Sequence, residues 1–196
     1  VLNELKILKE KRLWLTLAVT LFGFSSVFAY FTYISTVLTD VSNVQENLIS
    51  YLLIIFGVGV TLGNIVGGKL ADWNLNKSLQ MIFTIFILYF VLLYFIQMNG
   101  FLMVAGIFFF GLIGFSMSPS LQFKSTLISK DAPTLASTLN QSAFNLGNAL
   151  GAFIGGLVVT HLPVASLSLI APILTVIGLI FLFISVAVEK KEGMTT

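Results

Sequence analysis

The chain reads as an all-α integral membrane protein: six transmembrane helices arranged as two inverted triplets. Three features carry that reading. Apolar residues make up 57% of the 196 positions and charged residues only 9%, where a soluble domain has about 25% charged; the mean hydropathy is +1.02. Six hydrophobic stretches follow one another, each near the ~20 residues that span a bilayer. All ten Lys and Arg fall at the N-terminus, in alternate connections and at the C-terminus.

In chain order, residues 1–12 are polar and basic, with Lys6, Lys9, Lys11 and Arg12. A weak helical period of Leu2, Leu5 and Leu8 makes this segment a juxtamembrane linker or interfacial helix. It is not a signal peptide, and the Val1 start leads us to expect a fragment. The expected spans are 13–38, 48–70, 79–98, 101–123, 135–160 and 164–188, forming a bundle over 13–188 with a tail at 189–196. Asn99-Gly100 is a turn signal. Pro133 and Pro163 stand where a first helical residue would, which suits their missing N–H.

The second connection holds Lys69 and Lys77, and the fourth holds Lys124 and Lys130; the other three carry no Lys or Arg, and their only acids are Asp40 and Glu46. The positive-inside rule therefore puts both termini and both basic loops in the cytoplasm. Absence of Cys excludes disulfides, thiolate metal sites and cysteine nucleophiles. No metal or cofactor is expected, and a net charge of +2 gives no reason to expect a nucleic-acid partner. The excess of Lys over Arg, with many Phe, Ile and Asn, suggests an AT-rich bacterial genome and hence a bacterial plasma membrane.

A ten-residue pattern, G-x-x-x-G-x-x-x-G-G, occurs twice. Residues 59–68 read GVTLGNIVGG and residues 147–156 read GNALGAFIGG. Gly59, Gly63 and Gly67 share one helix face, as do Gly147, Gly151 and Gly155, and such stripes let helices approach closely. The copies fall in the second and fifth spans, the middle members of two triplets of opposite direction. Inverted triplets are a hallmark of secondary transporters, although small residues at this spacing are also common packing motifs.

Three stretches resemble a known family: GGKLADWNLNK at 67–77, NQSAFNLGNALGAFIGG at 140–156 and FAYFTYISTVLTDVS at 28–42. With them the chain resembles the C-terminal six-helix half of a major facilitator superfamily transporter, most closely the drug/proton antiporter group with its arabinose-efflux-like and purine-efflux-like permeases. The first stretch is similar to the superfamily's cytoplasmic loop motif at Gly68, Leu70, Ala71, Asp72 and Lys77. It departs from the motif at Trp73, Leu75 and Asn76, where Arg, Gly and Arg are usual. The resemblance implies one half of a twelve-helix fold, a missing N-terminal half as partner, and a small-molecule substrate moved across the lipid bilayer by alternating access, driven by a proton gradient. It also implies that Asp72 helps lock one conformation through the opposite half; as a plain loop acid it would pair with Lys69 or Lys77.

Other candidate residues follow from position. Gln141, Asn145 and Asn148 share a face of the fifth span. They either line a solute cavity or hydrogen-bond across helices. Tyr30 and Tyr33 in the first span either contact substrate or belong to an interfacial aromatic belt. Pro119 removes a hydrogen bond to the Phe115 carbonyl, giving a gating kink or a static one. The glycine tracts are expected to form the rocking seam. No ionisable residue lies near the middle of an expected span, so a proton-coupling group belongs to the other half. Asp40, at the outer mouth, reads as a loop acid and His161 as a surface histidine. Two alternatives stand beside the transporter half: a non-transporting truncated or split subunit, and a six-helix intramembrane serine protease. The protease would need Ser116 and His161 at hydrogen-bond distance.

Overall fold

The computed structural model describes residues 4–129 and 132–191; Lys130, and the part of the expected tail beyond Lys191, lie outside the described residues. A 3-10 segment at Glu4–Lys9 leads into α1 (Lys11–Phe31). A short α2 (Ile34–Thr36) runs on into a π turn at Val37–Val41. Then come α3 (Glu46–Ile96), α4 (Gly100–Ile128), α5 (Pro133–His161), a 3-10 turn at Val164–Ser166 and α6 (Leu167–Lys191). Five of these helices are long and apolar enough to cross a membrane.

The second and third expected spans are the two arms of α3, 51 residues with a break at Asn74 (φ −163°, ψ 104°). The chain reverses there. Phe56 and Phe86 would stand ~45 Å apart on an unbroken helix. Yet their ring centroids lie 6.2 and 5.7 Å from that of Phe110. The local sequence explains the break. The Asn74 side chain accepts the Lys77 N–H at 2.9 Å, three residues on, as an N-cap does. Ser78 Oγ donates to the Leu70 carbonyl at 2.6 Å, satisfying the end of the first arm. Asn99 repeats the device, accepting the N–H groups of Phe101 and Leu102 to start α4. Pro133 opens α5 as its missing N–H predicts. Pro163 instead precedes the 3-10 turn, whose Ser166 N–H bonds its carbonyl.

Each glycine stripe is already filled by a helix of the same chain. A Cβ on Gly59, Gly63 or Gly67 would run into the backbone carbonyls of Phe108, Leu112 and Ser116 on α4. A Cβ on Gly147 would lie 2.5 Å from the Leu21 carbonyl oxygen on α1, and Gly151 and Gly155 abut Ser25 and Ala29 in the same way. Both sets of partners advance in steps of four, so each pair runs parallel and in register. The contacts are reciprocal in chain order: the first arm of α3 packs on α4, and α5 packs on α1. The expectation that these glycines form a moving seam toward an absent surface is therefore corrected. A backbone-to-backbone contact of this kind leaves no room for a second occupant.

The centre of the bundle holds Tyr30, Phe83, Phe86, Phe90 and Phe110, all fully buried. The outer faces of the second α3 arm and of α6 are apolar, with Leu88, Phe95, Ile173 and Ile180 exposed, as lipid contact requires.

Candidate functional site

Two polar or small stripes remain uncovered on the middle helices. On α5 Gln141 and Asn145 are exposed and Asn148 half-buried. An amide facing hydrocarbon costs several kcal/mol, so this face meets water or protein. The stripe of Asn145, Ala149, Ala152 and Gly156 lies about 130° round from the glycine stripe at 100° per residue. The first arm of α3 carries the equivalent positions, Gly57, Thr61, Asn64 and Gly68, exposed or half-buried. A Cβ on Gly57 or Gly68 would meet nothing within 4 Å.

Beside the α5 amides sits an aromatic floor built from four helices. Phe28 of α1 and Phe144 of α5 meet edge-on at 5.7 Å between centroids. Phe115 of α4 lies 6.5 Å from Phe28, and Phe31 stacks on Phe56 of α3 at 4.3 Å. Phe28, Phe31, Phe115 and Phe144 are half-buried, so their rings border this face rather than fill the core. The i, i+3 spacing of Phe28 and Phe31 does not reveal which other helix each one meets.

The two tyrosines part company. Tyr33 is half-buried and its hydroxyl donates to the Ala152 carbonyl at 3.0 Å, one turn C-terminal to Asn148 on α5. Tyr30 turns into the core, 0% exposed. Its hydroxyl donates to Gln97 Oε1 at 3.3 Å. Tyr30 is thus withdrawn from the candidate cavity: in the last turn of α1 it faces the centre of its own bundle, whereas Tyr33 stands beyond the helix end. Gln97, which the sequence does not single out, closes the end of the bundle at the α3–α4 turn. Its Nε2 donates to the Ala165 carbonyl and Ser168 Oγ, and its own carbonyl accepts Ser42 Oγ.

The loop motif lies at the reversal of α3. Gly68 and Leu70 are half-buried, while Asp72 and Lys77 are exposed. The degenerate position Asn76 is buried and completes a closed ring. Lys124 Nζ donates to Asn76 Oδ1 at 2.7 Å and to Glu189 Oε1 at 2.5 Å. Asn76 Nδ2 donates to Glu189 Oε2 at 2.9 Å, and Ser185 Oγ to Glu189 Oε1 at 3.0 Å. The Lys124 and Glu189 side chains are 1% and 5% exposed. The assignment of Lys124 to a loop and of Glu189 to the tail is corrected here: α4 continues to Ile128 and α6 to Lys191. Every polar atom of this ring is answered, which is what makes a buried ion pair tolerable. The signal available in sequence was a Ser185–Glu189 pair at i, i+4 on a helix end.

Two residues away on α4, a second polar chain binds the opposite side. Thr20 Oγ1 donates to Asn140 Oδ1 at 2.7 Å, and Asn140 Nδ2 to Gln122 Oε1 at 2.8 Å. Gln122 Nε2 then donates to Ser137 Oγ. Gln122 and Lys124 are about 200° apart on the helix, so α4 is held from both sides just beyond Pro119, which lies inside the helix. Asn140→Leu should leave Gln122 Oε1 unanswered, with Thr20 Oγ1 keeping only the Thr16 carbonyl at 3.2 Å, and cost about 1–3 kcal/mol, read as a lower melting temperature of the purified protein. Unchanged melting would deny the chain any structural weight.

Ser116 and His161 do not meet. Ser116 Oγ donates to the Ile113 carbonyl at 2.7 Å within α4. His161 is exposed at the C-terminal end of α5, its ring nitrogen 3.0 Å from the Leu157 carbonyl. Among the described residues no group of three or more His, Cys, Asp or Glu could hold a metal ion.

Comparison with known proteins agrees with this helical architecture. The chain is 34% identical over 158 residues to the inner membrane transport protein YdhP of Escherichia coli (strain K12), covering 81% of this chain and 41% of that protein. It is 28% identical over 197 residues to the uncharacterized MFS-type transporter YtbD of Bacillus subtilis (strain 168), covering 97% and 49%. It is 25% identical over 181 residues to a probable sugar efflux transporter of Mannheimia succiniciproducens, covering 92% and 46%. The chain thus spans less than half the length of these relatives. The Major Facilitator Superfamily profile matches residues 13–195. With that match covering nearly every described helix, and with relatives that are transporters and not enzymes, the chain belongs to the Major Facilitator Superfamily.

Proposed function

We propose that the chain is the C-terminal half of a twelve-helix secondary transporter that expels a small organic solute by alternating access, coupled to proton entry. The observation that carries this reading is the uncovered amide row of Gln141, Asn145 and Asn148 beside a floor of half-buried phenylalanines. Such a surface suits a neutral solute with an apolar body and a hydrogen-bonding edge. The reciprocal glycine contacts support two inverted triplets. The stripes 57/61/64/68 and 145/149/152/156 supply two small-residue faces, suited to close contact with another helix bundle. These replace the glycine tracts as our seam. Alternate basic connections support a plasma-membrane protein with both termini in the cytoplasm. The name of one relative, a probable sugar efflux transporter, supports outward transport. The proton-coupling group is assigned to the other half, because the buried Lys124–Glu189 pair is spent on joining α3, α4 and α6.

The test is transport by the full-length protein in everted vesicles, with sugars, nucleosides and phenicol antibiotics as candidate solutes and a pH-sensitive dye as readout. A solute that is moved should discharge the imposed proton gradient. Asn145→Leu should lower that transport tenfold or more with unchanged protein yield. Full transport by Asn145→Leu would remove the amide row from the solute path. Absence of solute-driven proton movement across the panel would contradict proton coupling of these solutes.

A further inference from the structure

We infer that the N-terminal basic segment and a groove between α1 and α5 together bind an anionic glycerophospholipid of the leaflet facing the α1 N-terminus. The groove encloses about 310 Å³ and is walled by Trp14, Leu17 and Leu21 of α1 and by Leu139, Ser142 and Leu146 of α5. It lies away from the proposed solute path. None of its lining residues belongs to the amide row, and around α5 the centre of the Leu139, Ser142 and Leu146 wall lies about 130° from the centre of that row. Its wall on α1 runs ~10 Å along the helix axis, and every wall residue except Ser142 is apolar, as an acyl chain requires.

The mouth is cationic and fixed in place. Ile7 is buried among Leu13, Leu17, Ala132, Ala136 and Ala143, which pins the basic segment against the ends of α1 and α5. Trp14 Nε1 donates to the Leu8 carbonyl at 2.7 Å, joining the segment to the groove's first wall residue. Trp14 is 54% exposed, the amphipathic anchor usual at headgroup depth. Lys9 and Lys11 are exposed within five residues of Trp14, and Arg12 leans on Glu10 at 3.4 Å. Lys9, Lys11 and Arg12 against Glu10 leave an excess of positive charge at the groove's mouth. Juxtamembrane cations of this kind attract anionic headgroups at about fivefold in affinity per Lys or Arg. A zwitterionic lipid gains nothing from them, so the occupant is selected by charge at the mouth and held by apolar area along the groove.

The leaflet rests on the proposed orientation, but the test does not. The full-length protein, freed of lipid in detergent, is given equimolar phosphatidylglycerol and phosphatidylcholine with the same acyl chains, and bound lipid is read by native mass spectrometry. Phosphatidylglycerol should be retained about 25-fold over phosphatidylcholine, from two freely exposed cations at fivefold each. Lys9→Gln or Lys11→Gln alone should reduce the preference about fivefold, and the pair should bring it near parity. Lys69→Gln, on α3 and outside the groove, should keep it, and Ala18→Trp, which fills the groove, should lower retention of both lipids. Equal retention of the two lipids, no retained lipid, or a preference that survives the double variant would each overturn the site.

Discussion

Gly67→Ala is expected to lower the melting temperature of the purified protein by several degrees, and Gly57→Ala to change it much less. The two glycines belong to the same arm of α3 and differ only in what faces them. A Cβ on Gly67 would land on the carbonyl group of Ser116, and backbone cannot rotate aside as a side chain can. The two helices must separate or tilt, a cost of about 1–3 kcal/mol for an overpacked contact. That is roughly 2–4 °C per kcal/mol in a chain of this size. Separation would also strain the Ser120 Oγ bond to the Gly67 carbonyl at 3.2 Å. At Gly57 the same methyl meets open space, and alanine gains about 0.5–1 kcal/mol in helix preference. Gly151→Leu, against Ser25, should be more damaging than Gly67→Ala, with loss of transport and of most folded protein. Equal melting of the Gly67 and Gly57 variants would show that the tight crossing is not where the geometry puts it.

The second large effect is expected at the buried ring. Lys124→Met leaves the Glu189 carboxylate buried without its cation, and Glu189→Gln leaves the Lys124 ammonium without its anion. Removing one partner of such a pair costs about 3–5 kcal/mol. The double variant Lys124→Met with Glu189→Gln should recover most of that loss. No uncompensated charge then remains, and the glutamine can still answer Asn76 and Ser185. A double-mutant cycle on melting in detergent measures the coupling, and additivity of the two single losses would contradict a direct buried pair. Because α3, α4 and α6 meet at this ring, the single variants should also loosen the reversal at Asn74, visible as faster proteolysis within residues 70–78.

Much of this architecture is legible from residue order alone. Hydrophobic length locates the spans, and the turn chemistry of Asn99 and Pro133 marks helix starts that the structure repeats. The glycine periodicity announces a close crossing, but a stripe does not say which helix approaches it. Only the three-dimensional arrangement pairs Gly63 with Leu112 and Gly151 with Ser25. For the same reason the exposed stripe at 57/61/64/68 escaped notice: Thr61 and Asn64 look unremarkable until the neighbouring face is known to be filled. The ring of Lys124, Asn76 and Glu189 was hidden differently. Each member sits at a helix end, where a charge usually reaches water, and three such ends converge only after the chain has folded back twice. Tyr30 and Tyr33 show the limit at single-residue scale. Tyr30 lies in the last turn of α1 and is buried, whereas Tyr33 stands just past the helix end and is half-buried; where the helix stops decides which way each ring faces.

The account turns on whether the exposed amide row of α5 faces water inside a transport path. The chain contains no Cys, so single cysteines can be placed at Asn145 and Asn148 of the full-length protein, with Leu88→Cys and Ile180→Cys as controls on the outer faces. A membrane-impermeant, charged thiol reagent attacks only a hydrated thiolate. We predict rapid labelling at positions 145 and 148, slowed by a transported solute, and no labelling at positions 88 and 180. Cysteines at 145 and 148 that stay as inert as those at 88 and 180 would contradict a solute path along this face.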